Sequence, residues 1–208
     1  MKMPAAENRS KPLFIINPDS GVAPVNYFVS LGLDLHKKIT LVKSLSKADT
    51  ESIITRNFDN HDVFVAAGGD GTVHTVATRL IDTEKRLGVL PLGSGNGFAR
   101  EFGFNINVNS LLSSVRKAEF MPVDVLEING NMCLNVAGIG LDSFVAHSFN
   151  DLKLRGFFPY LWLTFKTFIQ LKPFPVTIWC GEEKIISEDL FVVTVANKIG
   201  RASCRERV

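Results

Sequence analysis

Five consecutive residues, Gly68-Gly69-Asp70-Gly71-Thr72, have the composition of a loop that binds an anion. They follow the apolar run Val63-Phe64-Val65-Ala66-Ala67 and precede Val73, Val76, Ala77 and Leu80, whose i, i+3, i+4, i+7 spacing predicts one buried helical face. A strand therefore turns through glycines into a helix. Glycines allow backbone conformations closed to other residues and let a ligand come close, while the first helical turn offers unpaired N–H groups and a partial positive charge. That junction suits a phosphate. The plainer alternative is an ordinary turn in which Asp70 or Thr72 caps the helix. At ordinary residue frequencies this pentapeptide arises by chance on the order of 10⁻⁴ times in a chain of this length, which favours the phosphate loop.

The elements around this loop repeat its form. Leu13-Phe14-Ile15-Ile16 reads as a strand buried on both faces and ends in the turn residues Asn17-Pro18-Asp19-Ser20-Gly21. Taken alone, that turn is either structural or a source of hydroxyl and N–H donors. A helix is expected over 25–37, then a strand over 39–42 ending near Lys43 and Ser44. Ser46 or Asp49 can cap the next helix, which carries Ile53, Ile54 and Phe58. Leu87-Gly88-Val89-Leu90 is a further buried strand, followed at once by Pro91-Leu92-Gly93-Ser94-Gly95-Asn96-Gly97-Phe98-Ala99-Arg100. Strands alternating with helices predict an α/β fold with an open, mostly parallel sheet and flanking helices. The loops at 17–21, 68–72 and 93–97 then share the carboxyl edge of the sheet, where such folds bind ligands. Their convergence predicts a nucleotide site.

Further on, Asn109 or Ser110 can cap a helix with Leu111, Leu112, Val115 and Ala118 inward. The texture turns β-rich at 121. Two apolar runs, 123–128 and 132–137, flank Asn129-Gly130, a strong hairpin signal. After Gly138-Ile139-Gly140-Leu141, Asp142 either caps a helix or faces a polar group of a substrate. Residues 157–171 are strongly apolar but shorter than the ~20 residues a membrane span needs, and they contain Lys166 and Gln170. An amphipathic packing helix is expected there, with contact to a membrane surface as the alternative. Strands return at 176–179, 184–186 and 190–196, with a turn at Gly181-Glu182. The expected domains are a disordered tail over 1–11, an α/β nucleotide-binding domain over 12–120 and a partial β-rich domain over 121–198.

With 208 residues, 46% of them hydrophobic, the chain can bury a sizeable core, and a formal net charge of +2 gives no bulk electrostatic case for a nucleic-acid partner. Three cysteines, Cys133, Cys180 and Cys204, lack metal-ligand spacing and cannot all pair with one another. A reducing compartment is the simpler reading. Residues 1–11 have no apolar core of a signal peptide, so a cytoplasmic location is expected. The final stretch, 199–208, breaks the preceding pattern and matches one reading frame of a common sequencing adaptor. It is read as non-native, which implies a truncated reading frame. Without it the chain holds as many basic as acidic residues.

The motifs Asn17-Pro18-Asp19-Ser20-Gly21, Gly68-Gly69-Asp70-Gly71-Thr72 and Pro91 to Arg100 stand in an order that resembles the diacylglycerol kinase catalytic-domain family, which includes bacterial lipid kinases and sphingosine kinases. Asp124 and the run from Asn135 to Asp142 resemble that family's second-domain start, and the likeness covers about 12–198. Gly-Gly-Asp-Gly alone is shared with NAD kinases; the proline, glycine and asparagine motif discriminates. The resemblance implies an α/β domain followed by a β-sandwich, with ATP as phosphoryl donor, Mg²⁺ between phosphate oxygens, and a lipid hydroxyl at a membrane surface as acceptor. It implies that Ser20 and Gly21 contact ATP phosphates, that Gly68 to Thr72 is the main triphosphate loop, and that Ser44 and Ser94 supply hydroxyls. It also implies that Asp70 handles metal or proton and that Asp124 reaches the metal through water. Sphingosine kinases use the matching aspartate as base, whereas bacterial relatives rely on a carboxylate nearer the C-terminus. Two departures stand out. Gly97 occupies the place where the family commonly has Asp, and the chain stops inside the second domain, so this fragment is expected to be inactive by itself.

Overall fold

The alternating apolar runs of the first half form four parallel strands, β1 (Leu13–Ile16), β2 (Thr40–Lys43), β3 (Val63–Gly68) and β4 (Arg86–Pro91), in the spatial order β2-β1-β3-β4. The computed structural model describes residues 11–21, 37–140 and 172–197. The chain divides into two units, 1–134 and 135–208. The helix expected over 25–37, except its last residue Lys37, the helix expected over 157–171, the terminal segments 1–10 and 198–208, and Asp142 lie outside the described residues.

Alternate residues of the central strands enter two different cores, which is why these strands read as continuous apolar runs. Leu13, Ile15, Phe64, Ala66 and Val89 pack with Ile53 and Ile54 of α1 (Lys47–Asn57) and with Val73, Val76 and Ala77 of α2 (Asp70–Thr78). Phe14, Ile16, Val65, Ala67 and Leu90 pack on the opposite face with Val108, Leu112 and Val115 of α4 (Val108–Lys117). The short helix α3 (Gly97–Glu101) adds Phe98 and Ala99 to the first core. Parallel register aligns the strand ends: Ile16 lies opposite Lys43 and Ala67, and Gly68 lies opposite Pro91. The chain segments that leave these strands therefore emerge at one level.

Helix starts follow local chemistry. Ser46 caps α1 by accepting the Asp49 N–H at 3.1 Å, while an Asp49 carboxylate oxygen accepts the Leu45 N–H at 2.9 Å, so both expected capping residues contribute. For α4 the expectation is corrected: Asn107, not Asn109 or Ser110, is the cap, and its side chain accepts the Ser110 N–H at 3.1 Å. The earlier start puts Val108 inside the core at 1% exposure.

Asn129-Gly130 turns the hairpin of β5 (Leu126–Ile128) and β6 (Asn131–Cys133), with φ of 50° and 76° as a two-residue primed turn requires. The single strand expected over 132–137 is two. After Cys133 the chain breaks pairing at Leu134 and Asn135, and β7 (Val136–Gly140) pairs with a later strand.

The second unit holds two antiparallel pairs among its described residues: β8 (Phe174–Cys180) with β9 (Glu183–Leu190), and β7 with β10 (Val192–Ala196). β9 continues through Ser187, Glu188 and Asp189, which look loop-like by composition. Ladder pairing to β8 overrides that preference where side chains face solvent. No helix among the described residues is long and apolar enough to cross a membrane. Leu90 is fully buried whereas Leu45 is 76% exposed. Leu90→Ala should therefore cost about 2–5 kcal/mol in urea unfolding, and Leu45→Ala no more than about 0.5 kcal/mol.

Candidate functional site

The site grows from the aligned ends of β1, β3 and β4. Asn17 continues β1 by donating its N–H to the Ala67 carbonyl at 3.1 Å, and its side-chain oxygen accepts the Asp19 N–H at 3.0 Å, which folds the first loop back. Its Nδ2 donates to Thr72 Oγ1 at 3.4 Å, so the same side chain ties the first loop to the second. Gly68 sits beneath that contact. A side-chain carbon there would collide with the Thr72 side chain and lie 3.1 Å from Ser20 Oγ.

The second loop starts α2 at Gly69, an N-cap with no side-chain hydrogen bond. Neither Asp70 nor Thr72 caps this helix; the Thr72 N–H donates to the Gly69 carbonyl at 3.0 Å, and no side chain caps the N–H groups of Asp70 and Gly71 ahead of it. Asp70 instead reaches across: its Oδ1 accepts the Phe98 N–H at 3.1 Å, at the start of α3.

The third loop is held by its own asparagine. Asn96 adopts a left-handed backbone, φ 55°. Its side-chain oxygen accepts the Gly93 N–H at 3.0 Å and its Nδ2 donates to the Gly93 carbonyl at 2.6 Å. Leu92 donates its N–H to the Gly68 carbonyl at 3.0 Å, carrying the β3–β4 pairing into the loops. At Gly93 a Cβ would overlap the Gly69 Cα, so the two loops meet backbone to backbone.

Together the loops wall a cavity of about 550 Å³, within the range of small-molecule sites. Of the loop positions nominated from sequence, all but Pro18, Gly68 and Asn96 line it, as does Ser44. Those three act from behind the surface, in the turn, under Thr72 and around Gly93. Sequence reasoning passed over Leu45, Lys47, Thr50 and Thr75, which also line the cavity. The signal was available, because β2 is parallel to β1 and its end must open at the same edge.

Ser44 is 3% exposed and belongs to a hydroxyl cluster. Its Oγ lies 2.5 Å from Thr50 Oγ1 and 3.0 Å from the Ser46 carbonyl, which is 3.1 Å from Thr50 Oγ1. With one hydroxyl donating to that carbonyl and the other to its neighbouring hydroxyl, both protons are used internally. Asp124 is solvent-exposed and does not line the cavity.

Electrostatics bear on the metal. Lys47 is the only cation among the described lining residues, against the carboxylates Asp19 and Asp70. A polyphosphate in this cavity adds negative charge that Lys47 and helix N–H groups offset only in part. Among the described residues no group of three or more His, Cys, Asp or Glu side chains could hold a metal ion by itself. That donor set fits Mg²⁺, which is held by one or two carboxylates together with substrate phosphates.

A sequence profile of the diacylglycerol kinase catalytic domain matches residues 11–128, more than half of the chain. The chain belongs to that family. Among its relatives is a diacylglycerol kinase of Bacillus subtilis (strain 168), 31% identical over 145 residues, covering 67% of this chain and 48% of that protein. A diacylglycerol kinase of Staphylococcus saprophyticus is 28% identical over 146 residues, covering 67% of this chain and 48% of its own length. A crystal structure of a diacylglycerol kinase from Bacillus anthracis str. Sterne shares the fold, with TM-score 0.66 at 22% identity over 92% of this chain and 64% of that one. The chain thus spans about half the length of the curated relatives it matches.

The loop contacts predict opposite behaviour for two glycines of the site. A methyl group at Gly71 would meet nothing within 4 Å, whereas Gly93 abuts Gly69. In thermal unfolding Gly71→Ala should keep or raise the midpoint, since alanine favours a helix by about 1 kcal/mol over glycine. Gly93→Ala should lower the midpoint by several degrees and weaken binding of any nucleotide.

Proposed function

We propose that the protein containing this chain is an ATP- and Mg²⁺-dependent kinase that transfers the γ-phosphoryl group to a lipid hydroxyl, of the diacylglycerol or sphingoid type. The observation that carries this reading is the convergence of three backbone-lined loops on one cavity, in a chain of a lipid kinase family. In the reaction the acceptor oxygen bonds to the γ-phosphorus as the β–γ bridging P–O bond breaks. ADP leaves, and the hydroxyl proton passes to a base. Such transfers depend on position and charge neutralisation more than on covalent help from the protein.

Each loop has a part in this scheme. The open N–H groups at the start of α2 and the donors of Ser20, Gly21 and Ser94 bind and orient the phosphates. Mg²⁺, when bound, offsets the repulsion between the triphosphate and the incoming alkoxide. Asp70 lines this cavity and, with only one carboxylate oxygen engaged by Phe98, handles metal or proton. Asp124 contributes through water, and Asp142 contacts the acceptor. The acceptor meets the site at a membrane surface, with the protein on the cytoplasmic side.

Gly97 supports a second reading, in which the protein binds nucleotide without turnover, because the family commonly carries a carboxylate there. The two are separated by calorimetry with ATP and Mg²⁺, followed by transfer of labelled phosphate to a panel of diacylglycerol, sphingoid bases and other lipid alcohols. The assay takes the complete reading frame in which these residues occur. Labelled lipid is the expected result; tight ATP binding with no labelled acceptor would leave the regulatory reading standing. Asp70→Asn should reduce turnover by at least 100-fold, on the scale of losing a general base or a key charge, and full activity would remove Asp70 from the chemistry.

A further inference from the structure

We infer that Asp70, apart from any part in the chemistry, is the positioning residue that locks the third loop against the second. Three observations carry this. First, Asp70 opens α2, where an acidic side chain ordinarily stabilises its own helix, yet α2 has no side-chain cap. Its Oδ1 is committed to the Phe98 N–H, 28 residues along the chain, at 3.1 Å. Second, Oδ2 lies 3.1 Å from where a Gly95 Cβ would stand, so the carboxylate is fitted over the backbone of the third loop. Third, Phe98 is a rigid anchor for that loop. It is 5% exposed and its ring lies 4.5 Å from that of Phe102 and 6.4 Å from that of Phe104, centroid to centroid.

The arrangement has two consequences for the cavity. By turning away from its own helix, the carboxylate leaves the Asp70 and Gly71 N–H groups at the start of α2 without a side-chain cap. By holding Phe98, it fixes the distance between those donors and the Ser94 and Gly95 wall of the same cavity. Truncation at Asp70 would then loosen the third loop even where no reaction takes place.

The nucleotide part of this inference rests on the function proposed above, whereas the loop lock does not, and the test keeps them apart. Hydrogen exchange at the Phe98 amide is measured in the nucleotide-free chain for the wild type, Asp70→Ala and Asp70→Asn, together with the affinity for ATP. Asparagine keeps the acceptor oxygen and drops the charge. Phe98 protection should fall at least tenfold in Asp70→Ala and stay within threefold of wild type in Asp70→Asn, with Val65 and Leu90 in the strands protected throughout. ATP affinity should follow the same order, at least tenfold weaker with alanine and rescued by asparagine. Should alanine not fold, as seen from lost protection at Val65 and Leu90, Asp70→Ser is the second truncation. Wild-type protection of Phe98 in the truncated chain, or an asparagine variant as unprotected as alanine, overturns the inference. Failure of the wild type to bind ATP would overturn the functional reading and leave the exchange result to judge the lock.

Discussion

Backbone against backbone at Gly69 and Gly93 is the contact on which the rest of this site depends. Two stretches of main chain approach so closely only where neither carries a side chain, and here the approach is imposed by the sheet: β3 and β4 run in parallel with Gly68 opposite Pro91, so the residues that follow have nowhere else to go. Every later feature inherits this spacing. Gly68 accepts the Leu92 N–H, Asn96 folds the third loop around Gly93, and the cavity opens between loops already in contact. A larger residue at Gly93 would force the two loops apart before any ligand arrived, whereas at Gly69 a Cβ would stand 3.3 Å from the Gly93 Cα, a much milder conflict.

Two side chains that line the cavity serve the same end by linking loop to loop. Asn17 spans the first and second, and Asp70 the second and third. Both could have closed their own turns or helices only, which is the ordinary use of these residue types. Asn17 does both, since its oxygen holds Asp19 while its nitrogen reaches Thr72. The result is a donor surface made chiefly of main chain, with little side-chain entropy left to lose on binding. Its cost to an anion would be electrostatic, because two carboxylates and one lysine line the cavity.

Much of this was legible in the sequence, and the reasons differ by element. The continuous apolar runs at 13–16, 63–67 and 87–90 identify buried parallel strands because no residue of such a strand can face water, and the strands form where those runs lie. Asn129-Gly130 names its own turn type, since both residues tolerate positive φ. What escaped was set by partners distant in sequence. β9 runs through Glu188 and Asp189 only because β8 lies beside it, and the 132–137 run divides because its second half pairs with β10. At the site, the glycines announced the loops, but the reach of Asp70 to Phe98 had no local signature; periodicity and propensity alike assign Asp70 to its own helix. Leu45 and Lys47 were missed because their loop contains no glycine, although parallel pairing alone puts it at the working edge.

The division of the chain bears on how function is distributed. Every described residue lining the cavity belongs to the first unit, as do both glycine-rich loops and both loop-linking side chains. The described lining of the cavity thus lies within one compact unit of the chain. The second unit differs physically. Its described strands form only two-stranded sheets, with Trp179 and Ile185 more than half exposed. Two-stranded ribbons are marginal alone in water and need further packing to be stable. The cavity therefore draws only on the unit built around the four-stranded parallel sheet, while the described strands of the second unit need further packing to be stable.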